Sequence, residues 1–119
     1  MRKVSGFGGF FFRAKDPAKL TAWYLEHLGI NPVPQDAETL PWMQEAGPTV
    51  FSPFSADTDY FSAEKSFMLN FRVDDLDAMV AQLQAAGIAV TNQQTMEGIG
   101  NFAHIHDPEG NPIELWQPV

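Results

Sequence analysis

The sequence predicts an α+β fold made of two similar halves that face each other around a cleft. Three observations predict it. Phe12-Arg13-Ala14-Lys15-Asp16 is echoed by Phe71-Arg72-Val73-Asp74-Asp75, 59 residues on, and Leu28-Gly29-Ile30 by Ala86-Gly87-Ile88, 58 residues on. Each half reads as a strand, a helix and then short strands. The chain ends on a hairpin pattern, 102–116, turning at Asp107-Pro108-Glu109-Gly110-Asn111. A half of this size cannot bury its own sheet face, so two must pack together with the helices outside.

Taken in order, Gly6 to Ala14 reads as a buried strand, because its Phe run is too short and too Gly-rich for a helix. Asp16-Pro17 then opens a helix: Asp is a good N-cap and Pro suits the first helical position. Leu20, Trp23, Tyr24 and Leu28 share one face, and Gly29 closes it. Ile30 to Gln35 is expected as a short strand or an extended segment broken by Pro32 and Pro34, and Pro41 to Ala46 and Thr49 to Phe54 as short strands. The polar stretch 55–66 reads as a linker that could lie over a pocket. Module one is thus 1–54 and module two 67–119, in one domain spanning 1–119. In module two, Phe67 to Val73 is predicted as a strand, and Asp74-Asp75 caps a helix bearing Leu76, Met79, Val80 and Leu83, closed by Gly87. Ile88 to Thr91 is expected as a strand and Asn92 to Asn101 as a loop before the terminal hairpin.

Composition narrows the function. A net charge of −8 argues against nucleic-acid partners and against anionic membranes, both of which call for Lys and Arg. The chain has no Cys, so thiolate metal sites and Cys nucleophiles are out. No apolar run is long enough to span a membrane, and residues 1–6 carry no signal-peptide pattern, so a cytoplasmic protein is expected. Ten Phe and three Trp suit an aromatic core or an aromatic-lined pocket.

These patterns together resemble the vicinal oxygen chelate superfamily of glyoxalases, bleomycin-resistance proteins, fosfomycin-resistance enzymes and extradiol dioxygenases. The residues that carry the resemblance are strand-Asp-Pro-helix-Leu-Gly at 10–29, strand-Val-Asp-Asp-helix-Gly-Ile at 71–88, and Asp-Pro-Glu-Gly-Asn-Pro-Ile-Glu-Leu at 107–115. The resemblance covers nearly the whole chain. It implies two βαβββ modules whose curved mixed sheets enclose a ligand cleft, and often a homodimer that pairs modules between chains.

Metal-dependent members of that superfamily hold one divalent ion with four side chains. Carried over, the positions fall on Gly9, Met68, a residue of the last strand of module one, and Glu114. Glycine has no side chain to offer, a thioether is a poor ligand for Zn, Mg, Mn or Ni, and Ala46 to Ala56 contains no Asp, Glu, His or Cys. Only Glu114 remains, so neither a metal nor another cofactor is expected.

Without a metal, His104 and Glu114 are the candidate catalytic residues. They are equidistant from the turn, so a simple hairpin sets them opposite each other on one face. Such a pair can transfer protons in a lyase or isomerase; it can equally be a structural cross-strand hydrogen bond. His106 abuts the turn and is expected to be exposed. The strand parity that, by the resemblance, puts Gly9 inward also points Phe11 and Arg13 inward, and in module two Met68, Asn70 and Arg72. The resemblance implies that Arg13 could hold a ligand carboxylate, with Arg72 as its partner in an anion clamp; the alternative is surface pairing with Asp16, Asp74 or Asp75. Phe11, Met68 and Trp116 suit either an apolar ligand or core packing. Three functions stay open: a glyoxalase-like protein binding a small organic molecule, a proton-transfer enzyme, and a drug- or toxin-sequestering protein.

Overall fold

The computed structural model describes residues 1–119 and contains two helices and one four-stranded mixed sheet. Helix α1 spans Pro17–Leu28. The Asp16 side chain accepts the Lys19 N–H at its start, and Gly29, at φ 70°, closes it with its N–H on Leu25 O. Helix α2 spans Leu76–Ala85. Asp75 caps it by accepting from Ala78 N–H, and Gly87, at φ 81°, turns the chain out. Both helices lie where the cap residues of the sequence place them.

The strands are β1 Leu69–Arg72, β2 Thr91–Met96, β3 Gly100–His106 and β4 Pro112–Pro118, in the order β1-β4-β3-β2. β1 runs parallel to β4, and the other pairs are antiparallel. The register sets His104 opposite Glu114, as the turn symmetry predicts, and Asn70 opposite Glu114 on the other side. Alternation divides the sheet. Ala103, Ile105, Ile113 and Leu115 pack with Leu20 and Tyr24 of α1 and Leu76, Val80 and Leu83 of α2 to form the core. Asn70, His104 and Glu114 therefore point to the face away from the helices.

The hairpin turn is fastened to α1 from two sides. The Tyr24 hydroxyl donates to Asp107 Oδ2 at 2.6 Å, and Asn111 Nδ2 donates to the same oxygen at 2.8 Å. Burial, then the bond to Asp107, pushes the Tyr24 phenol well above its usual range. At the surface, Glu109 accepts the N–H groups of Asp16 and Lys15, which hold its carboxyl below the ordinary value. This tie is present while Glu109 is ionised and is lost as pH falls through its lowered pKa. Replacing Tyr24 by Phe removes one donor from buried Asp107, and we expect a loss of about 1–3 kcal/mol in urea unfolding. An unchanged midpoint would show that Asn111 and backbone N–H groups satisfy Asp107 alone.

The structure corrects the expected strands in two places. Gly6–Ala14, Ile30–Gln35, Pro41–Ala46 and Thr49–Phe54 are not strands here: residues 1–14 and 31–54 make no backbone–backbone hydrogen bonds. A strand exists only through a neighbour, and within one chain these segments have none. They leave large apolar side chains in the open, including Phe7, Phe10, Phe11, Val50 and Phe51. The second correction is β2. It occupies 91–96, inside the expected loop, and only Thr91 of the predicted Ile88–Thr91 strand belongs to it. All six of its residues are exposed, so no hydrophobic alternation marks it; it is a polar edge strand held by backbone pairing to β3.

Candidate functional site

The face away from the helices carries a buried hydrogen-bond network centred on Glu114. Its side chain is 8% exposed, yet both carboxylate oxygens are hydrogen-bonded. Oε1 accepts from Asn70 Nδ2 at 2.8 Å, and Oε2 accepts from His104 Nε2 at 2.8 Å and from the Tyr60 hydroxyl at 2.5 Å. Three donors from three parts of the chain thus compensate the desolvation of one carboxylate.

His104 is equally committed. Its Nδ1 lies 3.1 Å from Asn92 Nδ2. A neutral imidazole with its proton on Nε2 satisfies both contacts, accepting from Asn92 and donating to Glu114. Asn92 reaches this position because β2 shifts register between Thr91 and Gln94, and because Asn92 sits at φ 50°. Asn tolerates that left-handed region better than most residues, and a bulge re-aims the side chain it carries.

Tyr60 comes from the 55–66 stretch, whose residues 57–63 line a cavity. Its ring stands edge-on to His104 at 5.2 Å and 82°, with Phe54 packed against its other side at 5.6 Å. Burial, followed by the bond to Glu114, pushes its phenol up to about 12. Under this segment lies a cavity of about 570 Å³, walled by Tyr60, Met68, Asn92, His104 and Ile113, with Asp57 and Asp59 also on its wall. Glu114 is not on the cavity wall; it bonds two residues that are.

The side chains expected to line a site are distributed as follows. His104, Glu114 and Asn70 meet in one network, and Met68 lies on the cavity wall. Phe11 is 91% exposed and is not among the residues lining that cavity. Arg13 faces a second cavity, of about 550 Å³, with Lys15, Lys65 and Glu109, while Arg72 donates to Glu45 O at 3.0 Å. The two arginines therefore form no clamp at the His104 cavity, and neither pairs with an acidic side chain. Trp116 is buried, stacks parallel on Phe102 at 6.1 Å and donates its indole N–H to Ile99 O, which is a packing role. His106 is exposed, as expected.

Tyr60 and Asn92 escape a reading of the sequence. The only trace of Tyr60 is an aromatic pair, Tyr60-Phe61, inside the most polar stretch of the chain. Asn92 leaves no trace, because its role follows from a register shift.

A superfamily-type metal centre does not fit these residues. No three His, Cys, Asp or Glu side chains converge to hold an ion. Glu114, the one matching ligand position, already accepts three hydrogen bonds, and Met68 presents a thioether.

Residues 9–116 match the family model described as a glyoxalase-like domain, and the chain belongs to that family. Among solved structures it is similar to TnmS3, an antibiotic binding protein from Streptomyces sp. CB03234, with 28% identity over 100% of both chains and a TM-score of 0.68. It is similar to a glyoxalase/bleomycin resistance protein from the same Streptomyces strain, with 28% identity over 87% of this chain and 93% of that one, at a TM-score of 0.52. A lactoylglutathione lyase from Agrobacterium tumefaciens shares the fold at 20% identity and a TM-score of 0.63, covering 98% and 96% of the two chains. A comparison with curated proteins finds no match.

Proposed function

We propose that this glyoxalase-like domain binds and sequesters a small organic molecule in the cavity beside His104, without a metal. The observation that carries the reading is the commitment of the Glu114–His104 pair to a closed hydrogen-bond network. Every buried side-chain nitrogen and oxygen has a partner, and both ring nitrogens of His104 are engaged. A general base needs a nitrogen free to take the substrate's proton; here His104 would first have to release Asn92. A cavity of about 570 Å³ suits a drug-sized ligand. The full-length similarity to an antibiotic binding protein supports binding over turnover.

The proposal includes a homodimer, on the strength of the exposed apolar segments of the first half, whose backbone groups lack partners in a single chain. It includes no nucleic-acid or membrane partner, given the charge of −8, and a cytoplasmic setting. No helix is long and apolar enough to cross a membrane.

The test is native mass spectrometry of the purified chain, followed by calorimetry with antibiotics and other aromatic compounds, and an assay on α-oxoaldehyde thiol conjugates. We expect one small molecule bound per chain and no turnover. Turnover that disappears in His104→Gln would replace sequestration by proton-transfer catalysis.

A further inference from the structure

Tyr60 is a phenol held in a site that any phenol could use. Its hydroxyl donates to Glu114 Oε2 beside the His104 contact, and its ring is packed by His104 and Phe54. The other two donors belong to the sheet itself. Tyr60 does not: it rides on residues 55–66, whose backbone bonds are two local turns, Thr58 N–H to Ser55 O and Lys65 N–H to Ser62 O. Apart from Tyr60, the one hydrogen bond joining this segment to the rest of the chain is Lys65 Nζ to Glu109 O. Tyr60 is 38% exposed, and the cavity opens beside it. A side chain bound this locally is displaced at little cost, whereas Asn70 and His104 are not.

We propose that the Glu114 end of the cavity is a subsite for a hydroxyaromatic group, which donates to Glu114 Oε2 in place of Tyr60 as the 55–66 segment swings aside. This deepens the binding function proposed above and rests on it. The recognised chemistry is an aromatic ring bearing a hydroxyl. The carboxylate demands a donor, the His104 and Phe54 rings supply edge and face contacts, and Met68 on the wall adds an adaptable apolar surface. A ring bearing a methoxy group would offer no proton to Glu114 and would leave Tyr60 in place. In the resting chain Tyr60 acts as a built-in competitor, so ligand affinity is reduced by the fraction of time that it occupies the subsite.

The experiment titrates 2-naphthol and 2-methoxynaphthalene into the full wild-type chain and into Tyr60→Phe, with circular dichroism confirming that both fold. Phe keeps the ring but cannot bond Glu114. We expect 2-naphthol to bind Tyr60→Phe about tenfold more tightly than wild type, the range a charge-assisted hydrogen bond commands. 2-Methoxynaphthalene should bind both proteins alike. Equal naphthol affinities, or weaker binding to Tyr60→Phe, would overturn the proposal, the latter by making Tyr60 a ligand contact. An equal gain for the methyl ether would also overturn it, since the gain would then be space and not a hydrogen bond. If neither protein binds naphthol, the hydroxyaromatic subsite is refuted, while sequestration stands provided native mass spectrometry or the compound panel finds another ligand.

Discussion

Glu114→Gln should weaken ligand binding about tenfold or more while the chain still folds. The side chain keeps its volume, but one carboxylate oxygen becomes an NH₂ group and the charge is lost. Asn70 can turn its amide over and donate nothing, so that the new NH₂ has an acceptor, and the remaining oxygen still faces His104 Nε2 and Tyr60. The cost to stability should be about 1–2 kcal/mol, because neutral hydrogen bonds replace charge-assisted ones. Glu114→Ala is expected to be worse, about 2–4 kcal/mol, since it strands the buried His104 donor, removes the acceptor of the partly exposed Tyr60 and Asn70, and leaves a void. Urea unfolding of both variants checks the second pair of numbers. Calorimetry with the ligand found by mass spectrometry checks the first, and the His104 ring ¹⁵N signals should move between wild type and Glu114→Gln. An unaltered affinity with altered stability would reduce the network to scaffolding.

Phe51→Asp should convert the proposed dimer to a monomer. Phe51 is 79% exposed in one chain, where it touches Phe7 at a ring distance of 5.9 Å. On a monomer surface, a charge in this position would change stability by about 0.5 kcal/mol or less. In a buried interface, an unpaired carboxylate costs several kcal/mol, enough to dissociate it. Sedimentation at micromolar concentration is expected to give twice the 13.2 kDa chain mass for wild type and the single-chain mass for Phe51→Asp. A wild-type protein sedimenting as one chain would remove the homodimer, and a variant that remains dimeric would put the interface elsewhere.

Both helices were determined locally by the sequence. Asp16-Pro17 and Asp75 start them, Gly29 and Gly87 end them, and their apolar stripes face the sheet, because capping and periodicity act over a few residues. The terminal hairpin was equally legible: the turn residues set the register, and the register set His104 against Glu114. Tertiary structure decided what no local rule could. Strand β2 is polar but for Met96 and wholly exposed, and exists only because β3 offers it a backbone edge. The first-half strands, convincing by composition, are unpaired in a single chain because hydrogen-bonded pairing is a property of two segments and not of one. Tyr60 and Asn92 joined Glu114 and His104 across 54 and 12 residues of chain, and neither a linker's path nor a bulge's position is written in the neighbours of those residues. The carboxylate and imidazole were visible as a pair. Their hydrogen bonds to Tyr60, Asn70 and Asn92 depended on contacts made only when the chain closed over the sheet.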